Sequence, residues 1–383
     1  MRAVEPLQVQ DFWHVPAAGP HTLLAMRLLS ITGTRPQFVK AALLHAELVK
    51  HLDLVVADTG QHYDHELSRV FNEELGLGDP DIQLGVGSGS HAAQTAAMLV
   101  GIERAALAVE PDAMLVYGDT NSTLAGALVA AKLGLPLAHV EAGLRSFDMR
   151  MPEEVNRVVC DRLSQLLFCP SETAVANLAA EGITRGVELV GDVMVDLARL
   201  LGPIASERSA YPAELGLEPG SYALATAHRQ ANTVQPALGR LAEGLARVQG
   251  PVVLPLHPRT REALAREGLL ADLERSVHVL PPLGYLDFTA LLRAARVCLT
   301  DSGGVQKEAY LHGVPCVTMR ESTEWVETVQ LGWNVLVGDD PGAIAAAAAA
   351  PPRGASRPEV YGDGHAAERM ARLVTGRDWQ RLG

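Results

Sequence analysis

MLVYGDTNSTLAGALVAAKLGLPLAHVEAG, residues 114 to 143, holds a short apolar run, a helix-length segment and a second apolar run. Each run is continuously apolar, which is the pattern of a strand buried on both faces of a parallel sheet. The same alternation fills residues 26 to about 190 and returns from residue 222 to about residue 338. The sequence therefore predicts an α/β protein with two doubly wound, Rossmann-like domains.

The predicted domains are joined near residue 192. Residues 1–25 are interpreted as an N-terminal extension, because the first strand-like run begins at Met26. Residues 26–191 form the first domain and residues 192–365 the second. The last segment, GHAAERMARLVTG, predicts a helix whose packing partner the pattern leaves open.

Composition narrows the classes of function. The net charge of −13, from 32 basic and 45 acidic residues, argues against a nucleic-acid-binding surface. No apolar run reaches the roughly 18 residues of a spanning helix, so no membrane is expected. The four cysteines lack a disulfide or metal spacing, and we interpret them as buried thiols of a cytoplasmic protein. No metal cluster is evident.

Two cations occupy the first strand-to-helix turn, GTRPQFVK, residues 33 to 40. Arg35 stands in the loop and Lys40 in the helix, where positive charge opposes the helix macrodipole. A helix N-terminus attracts phosphate, so the pair suits a diphosphate better than it suits helix stability. We favour a phosphate site over the alternative, a solvated pair of side chains.

Acidic side chains follow two neighbouring strands and begin the next helix. Asp119 comes just after MLVY, Glu141 directly after LAHV, and Glu153 stands at a helix start in MPEEVNR. Acids at adjacent strand ends approach one another, and crowding with burial raises the pKa of one of them, as acid-base chemistry requires. Helix capping by Asp119 or Asn121 is the alternative for the first of these loops.

The other ions of this region have simpler interpretations. Asp148, Arg150 and Glu154 are expected to form a solvated loop and a capped helix start. Arg145 and Arg157 are expected to hold the acids or a substrate in place.

The second domain carries a predicted anion site. In LTDSGGVQKEA, the residues Ser302, Gly303 and Gly304 bring backbone N–H groups to a helix N-terminus, and Glu308 follows about one turn later. We prefer nucleotide binding to a plain glycine turn.

His228 and Arg229 follow another strand in TAHRQAN. GVGSGS at residues 85–90 lacks the third glycine of a dinucleotide loop, so NAD is excluded, and no P-loop is present.

Nine motifs together resemble the non-hydrolysing UDP-N-acetylglucosamine 2-epimerases, in which they recur in the same order. They are GTRPQFVK, TGQHYD, YGDTNST, HVEAGLRSFD, MPEEVNR, VGDVMVD, TAHRQAN, LTDSGGVQKEA and MRESTEWVET. The resemblance runs from about Met26 to Gly338 and covers most of the chain. An ordered series of this length is more specific than any single motif.

The resemblance implies a GT-B-like fold with an interdomain cleft, a C-terminal helix within residues 366–383 that returns to the first domain, and a homodimer. It implies cofactor-free interconversion of UDP-GlcNAc and UDP-ManNAc. In that family UDP is eliminated to give a bound 2-acetamidoglucal and is then re-added with inversion at C2.

The resemblance also implies roles for single residues, carried over by motif. The catalytic residues are Asp119, Glu141, Glu153 and His228. The substrate-binding residues are Arg35, Lys40, Arg145, Arg157, Arg229, Phe288, Ser302, Gly303, Gly304, Glu308 and Arg320. A second, activator site corresponds to Gln61, His62 and Asp64.

Three positions depart from the family pattern. Asp64 stands where the family often has Gln, and its charge would repel a diphosphate, which argues against allosteric control. Trp325 in TEWVE and Lys307 in GGVQKEA replace an Arg and an acid, and both are expected to tune the accepted sugar towards a modified UDP-HexNAc.

Three other functions remain open on the sequence. A hydrolysing epimerase would release ManNAc and UDP from a similar site. A GT-B glycosyltransferase would share the fold and the donor. A non-enzymatic nucleotide-sugar sensor would bind without chemistry.

Overall fold

The computed structural model describes residues 26–61, 79–227, 232 and 234–379, so the predicted extension at residues 1–25 lies outside the described residues. The chain divides into two compact units, residues 1–197 with 360–383 and residues 198–359. The first unit therefore reaches beyond residue 191 and resumes before residue 366. The reason is hydrogen bonding, because the Asp196 carboxylate accepts from the N–H groups of Ala366 and Ala367 at 3.1 and 2.8 Å.

Both units are built on a parallel sheet. Within the described residues the strand order is β3-β2-β1-β4-β5-β6-β7 in the first and β10-β9-β8-β11-β12-β13 in the second. The strands are β1 (Arg27–Thr32), β2 (Asp53–Asp58), β3 (Ile82–Gln83), β4 (Ala113–Tyr117), β5 (Leu137–Val140), β6 (Leu166–Cys169), β7 (Val187–Leu189), β8 (Ala223–Thr226), β9 (Val252–Pro255), β10 (His278–Leu280), β11 (Val297–Thr300), β12 (Cys316–Thr318) and β13 (Asn334–Leu336).

Helices connect these strands. In the described part of the chain they are α1 (Arg35–Leu48), α2 (His91–Val109), α3 (Asn121–Leu133), α4 (Pro152–Leu163), α5 (Glu172–Ala180), α6 (Val193–Arg208), α7 (Tyr211–Glu214), α8 (Ala237–Ala246), α9 (Pro258–Arg266), α10 (Leu270–Leu273), α11 (Tyr285–Ala294), α12 (Gly303–His312), α13 (Val326–Gln330), α14 (Pro341–Ala349) and α15 (Ala366–Thr375). The α/β class with two Rossmann-like units is confirmed.

The segment at residues 114–143 folds as its pattern predicts. Strands β4 and β5 are fully buried and pair in parallel. Helix α3 between them is capped at its start by the Thr120 side chain and ends at Gly134, whose φ of +69° favours glycine. In each unit the strand order reverses beside the first strand, between β1 and β4 and between β8 and β11. Ligands of open α/β sheets bind at such points, beyond the carboxyl ends of the strands.

One helix differs from expectation. By length and composition alone, α2 is apolar enough to cross a bilayer, with a mean hydropathy of 1.2. Its apolar residues are interrupted by Gln94, Glu103 and Arg104, so it contains no unbroken apolar run of that length. Met98 and Ile102 of α2 are fully buried in one cluster with Ile31 and Val116 of the sheet. A sheet-packing helix passes the same test, so a single such helix is weak evidence for a membrane span.

The C-terminal helix α15 completes the core of the first unit. Its Met370 and Val374 are 1% and 0% exposed, and they share one apolar cluster with Leu44 of α1 and Phe168 of β6. The last described helix is therefore part of the first sheet's hydrophobic covering, and its loss would uncover that face.

Replacing Met370 by Ala is expected to lower the free energy of unfolding by about 2–5 kcal/mol, because it leaves a cavity under α15. Arg372→Ala, on the exposed side of the same helix, is the matched control and should change stability by no more than about 0.5 kcal/mol. Urea unfolding followed by circular dichroism measures both. Equal effects of the two variants would show that α15 is not packed as described.

Candidate active site

The ends of β4 and β5 place two acids side by side. Tyr117 pairs with Val140 across the two strands, and Asp119 and Glu141 follow within two residues. Gly118 turns the chain between them with a φ of +61°, and a Cβ atom there would lie 3.3 Å from the Glu141 carboxylate. Glycine is therefore required at this position both for the turn and for the close approach of the acid.

Glu141 is held in a strained position beside a cation. It has a φ of +72°, and its carboxylate forms an ion pair with the ammonium group of Lys40. Both side chains line a small pocket together with Pro170 and Asp192. Lys40 thus lies among the acids of the first unit and neutralises one of them. The expected role of Lys40 as a diphosphate ligand stays a prediction.

Asp119 combines burial with access to solvent. Its carboxylate forms an ion pair with Arg157, yet 28% of its side chain is exposed. Burial raises the pKa of Asp119 above its ordinary value, and the charges of Glu153 and Glu141 add to this effect. Arg157 and Lys40 oppose the shift without cancelling it. A carboxyl group with a raised pKa at a strand end is suited to proton transfer near neutral pH.

The capping alternative for this loop is wrong. The N-cap of α3 is Thr120, whose side-chain oxygen accepts from the backbone N–H of Thr123. The Asn121 side chain donates instead to Gln94, at 2.8 Å. Asp119 is therefore not needed to start the helix, and its carboxylate is directed to Arg157.

Helix α4 brings a third acid and the shared arginine. Pro152 stands at its first turn, which its fixed φ favours, and Glu153 and Glu154 follow. Glu153 is partly exposed, and its charge acts on Asp119. Arg157, one turn later, binds Asp119 through one nitrogen and Glu154 through the other. The structure thus brings Asp119, Glu141 and Glu153 into one electrostatic cluster.

The expectation that Glu154 is a solvated helix-start residue is wrong. Glu154 is 1% exposed, and its carboxylate accepts from the N–H and hydroxyl groups of Ser146, from the N–H of Phe147 and from Arg157. It fixes the turn before α4 because its hydrogen bonds fold residues 146–147 back onto the helix. Asp148 and Arg150, by contrast, form an ion pair in which Arg150 is exposed and Asp148 partly exposed, as expected for a solvated loop.

A buried polar network that the sequence reasoning missed lies below these acids. Arg145 is 2% exposed and binds Asp161 and Glu181 through all three guanidinium nitrogens, so it does not hold the three-acid cluster directly. Asp161 in turn contacts His139 of β5 at 2.7 Å. The available signals were a His inside the apolar strand LAHV and an Asp four residues after Arg157 on α4.

Several predicted residues have no described side-chain position. The side chain of Arg35 and the residues His62, Asp64, His228 and Arg229 lie outside the described part of the structure. Gln61 of the predicted activator site is described. Its side-chain oxygen accepts from the N–H and hydroxyl groups of Ser122, at 3.1 and 2.8 Å, at the start of α3.

The second unit places its predicted anion site at the ends of β11 and β12. Ser302 is the N-cap of α12, and Gly303 and Gly304 form its first turn. A Cβ atom on Gly303 would lie 2.0 Å from Glu324, so only glycine allows this carboxylate to approach. Arg320, which follows β12, donates to Glu324 at 3.0 Å.

The remaining predicted nucleotide contacts lie on the helices of this unit. Glu308 lies in α12, and Phe288 lies in α11, partly buried against the apolar cluster that includes Leu291. These positions alone do not establish a contact of Glu308 with a ribose or of Phe288 with a base, so both roles stay predictions.

The two unusual residues of the second unit contact each other. The ammonium group of Lys307 lies 4.2 Å from the centre of the Trp325 ring, and both side chains are buried. Such a cation-π contact is favourable and is stronger when desolvated. The two departures from the family pattern therefore form one structural unit.

Replacing Glu154 by Ala is expected to lower the free energy of unfolding by about 3 kcal/mol or more, because it breaks a buried ion pair and leaves two N–H groups without an acceptor. The matched control is Glu172→Ala, an exposed acid in the first turn of α5, which should cost less than about 1 kcal/mol. Denaturant titration of both proteins provides the comparison. A Glu154 variant as stable as the control would contradict the buried assignment.

Comparison with known proteins identifies the family to which the chain belongs. A family model described as UDP-N-acetylglucosamine 2-epimerase matches residues 46–375. A Pseudomonas aeruginosa protein named UDP-2,3-diacetamido-2,3-dideoxy-D-glucuronate 2-epimerase is 48% identical over 322 residues, 82% of this chain and 88% of that protein. A UDP-N-acetylglucosamine 2-epimerase of Methanocaldococcus jannaschii is 40% identical over 364 residues, 91% of this chain and 99% of that protein.

A solved structure agrees with these relatives. The crystal structure of the Methanocaldococcus jannaschii UDP-GlcNAc 2-epimerase, in complex with UDP-GlcNAc and UDP, matches with a TM-score of 0.88 at 39% identity. The match covers 92% of this chain and all of the other. The motif resemblance is thereby confirmed. The chain belongs to the UDP-N-acetylglucosamine 2-epimerase family and is an isomerase of the epimerase class.

Proposed function

We propose that the chain is a non-hydrolysing UDP-N-acetylglucosamine 2-epimerase, which interconverts UDP-GlcNAc and UDP-ManNAc. The observation that carries this proposal is the cluster of Asp119 and Glu141, which follow β4 and β5, with Glu153 from the first turn of α4, in a chain of this family. Solved relatives are described in complex with UDP-GlcNAc and UDP, which supports the same ligands here.

The reaction requires two proton transfers on opposite faces of the sugar. A base removes the C2 proton while the C1–O bond breaks and UDP departs with the bonding pair, leaving 2-acetamidoglucal. Return of a proton to C2 from the other face, with re-addition of UDP at C1, gives the epimer. We assign one transfer to Asp119, whose pKa is raised, and the other to Glu141 or Glu153. The predicted catalytic role of His228 is part of the same proposal.

Departing UDP has to be stabilised for this elimination to occur. The start of α12 presents backbone N–H groups at Ser302, Gly303 and Gly304, and a helix N-terminus favours an anion. Arg320 lies at the end of the neighbouring strand. These residues are proposed to hold the nucleotide, with Glu308 accepting from the ribose hydroxyls and Phe288 near the uracil. No organic cofactor is required by this chemistry.

A second candidate substrate is a UDP-2,3-diacetamido-2,3-dideoxy sugar acid. The relative named for that substrate is 48% identical, whereas the Methanocaldococcus epimerase is 40% identical. The buried contact between Lys307 and Trp325 replaces residue types typical of the simple UDP-GlcNAc enzymes, so it supports a modified sugar. Both candidates use the same reaction at C2.

We further propose a cytoplasmic homodimer that serves cell-surface polysaccharide synthesis. The exposed side of α2 includes Val100 and Leu107, 49% and 62% exposed, which is suitable for an apolar contact between subunits. The four cysteines are buried thiols, which suits a reducing compartment.

Asp119→Asn and Glu141→Gln are each expected to lower the rate of epimerisation by at least about 1,000-fold, because each removes an ionisable proton carrier. UDP binding, measured by calorimetry, should stay within about threefold of the wild-type value. The assay is conversion of UDP-GlcNAc in D₂O, with deuterium at C2 followed by NMR. Asp148→Asn, a partly exposed acid that pairs with Arg150 and not with this cluster, is the control and should retain full activity.

Other products of this assay identify the competing functions. Free ManNAc with UDP would indicate a hydrolysing epimerase, and transfer of the sugar to an added acceptor would indicate a glycosyltransferase. Binding without deuterium entry would indicate a sensor. Loss of UDP binding in Asp119→Asn would show that this acid is structural.

The identity of the sugar is tested by comparing kcat/KM for UDP-GlcNAc and for the 2,3-diacetamido uronate. If Lys307 and Trp325 tune specificity, Trp325→Arg should change the ratio of the two values by at least about tenfold, because a buried contact beside the nucleotide loop is lost. Trp333→Arg, outside this contact, is the control. An unchanged ratio in Trp325→Arg would remove this role.

A further inference from the structure

His139 is a fully buried side chain between two hydrogen-bond acceptors. Its Nδ1 atom lies 2.7 Å from the Asp161 carboxylate, and its Nε2 atom lies 2.7 Å from the carbonyl oxygen of Gly118. A carbonyl oxygen only accepts, so Nε2 carries a hydrogen. Nδ1 also carries one if Asp161 is ionised.

The surroundings of Asp161 keep it ionised. Burial alone would raise the pKa of Asp161, but the hydrogen bonds and charges of His139 and Arg145 hold it below its ordinary value. Its second oxygen accepts from Arg145 at 2.7 Å and from the N–H of Gly143 at 3.1 Å. Glu181 binds the far side of the same arginine. Asp161 thus anchors Nδ1 of His139, while the hydrogen on Nε2 is donated to Gly118.

The Gly118 peptide that His139 holds adjoins both acids at the strand ends. Its carbonyl carbon is bonded to the nitrogen of Asp119, and its own N–H donates to Val140 at 2.9 Å. Its Cα faces the Lys40–Glu141 ion pair, with 3.3 Å between the position of a Cβ and the Glu141 carboxylate. A rotation of this peptide would move Asp119 and open space beside Glu141.

We propose that His139, held by Asp161, is a positioning residue that fixes the Gly118 peptide and through it Asp119. The proposal rests on the proposed epimerase function, since positioning has meaning only for a reaction at these acids. His139 itself touches no reacting atom. It acts by donating from Nε2 to the Gly118 carbonyl, while Asp161 holds the ring through Nδ1.

An ordinary buried ion pair is the competing explanation. Such a pair would affect stability but would leave the properties of folded enzyme unchanged. The structure argues against it, because only Nδ1 faces the carboxylate. Nε2 donates instead to the carbonyl oxygen of Gly118, in the turn before Asp119. The two explanations predict different values of kcat for a His139 variant that folds like the wild type.

Two variants separate the hydrogen bond from the charge. His139→Phe removes both bonds, and kcat is expected to fall by up to about 100-fold, with KM changed less than about threefold, because the acid is misplaced. Asp161→Asn should retain kcat within about fivefold. Its amide can donate to Nδ1 and still accept from Arg145, so a neutral ring keeps its Nε2–H bond to Gly118. Glu181→Gln, at the outer end of the network, should match the wild type.

The measurements are deuterium entry at C2 with steady-state kinetics, UDP affinity and unfolding midpoint for each protein. Wild-type kcat in folded His139→Phe would overturn the proposal, and so would an Asp161→Asn variant as slow as His139→Phe. A wild-type protein without epimerisation or exchange would instead refute the proposed function.

A spectroscopic measurement on the wild type covers the case in which His139→Phe does not fold. In protein labelled with ¹⁵N at histidine, the signal that disappears in His139→Gln belongs to His139. A hydrogen on Nε2 is expected in the wild type and in Asp161→Asn, because in both this nitrogen donates to the carbonyl oxygen of Gly118. An Nε2 atom without a hydrogen in the wild type would overturn the proposal.

Discussion

The parallel pairing of β4 with β5 is the constraint on which the rest of the first unit depends. Because Tyr117 is in register with Val140, the two chains leave the sheet together, and the residues that follow must share one small region. Small side chains and a left-handed turn at Gly118 make this possible. Acids placed after both strands are brought close together, and burial, with the charges of the neighbouring acids adding to it, raises the pKa of Asp119.

Acids in such a place need cations, and the first unit supplies one for each. Lys40 comes from α1 and pairs with Glu141, while Arg157 comes from α4 and joins Asp119 to the buried Glu154. These pairs offset the desolvation cost of burying the carboxylates, which without a cation would not remain ionised. Each cation also ties its own helix to the loops beyond β4 and β5. The electrostatic requirement of the site thus becomes a structural constraint on the helices around it.

The sequence was sufficient for the strands, the helices and the grouping of Asp119, Glu141 and Glu153, because these follow from continuous apolar runs and from the geometry of parallel sheets. It was insufficient for Glu154 and Arg145. Glu154 looks like a surface ion at a helix start, and its bonds to residues 146–147 hold it against α4. Arg145 is expected to hold the acids or a substrate, but it is buried in bonds to Asp161 and Glu181. Side-chain burial of that kind depends on tertiary contacts, which no local pattern contains.

Glu141 shows how the fold maintains a conformation that the residue itself disfavours. A non-glycine residue at a φ of +72° costs about 1–3 kcal/mol, and glycine would relieve it. The strain persists because the N–H groups of Glu141 and Ala142 both donate to the carbonyl oxygen of Phe168, at 3.1 and 3.0 Å, while the side chain is paired with Lys40. An extended conformation would point this carboxylate away from Asp119. The local strain is therefore the energetic cost of turning the first side chain after β5 towards the other acids, and it is concentrated at the residue whose carboxylate the proposed chemistry needs.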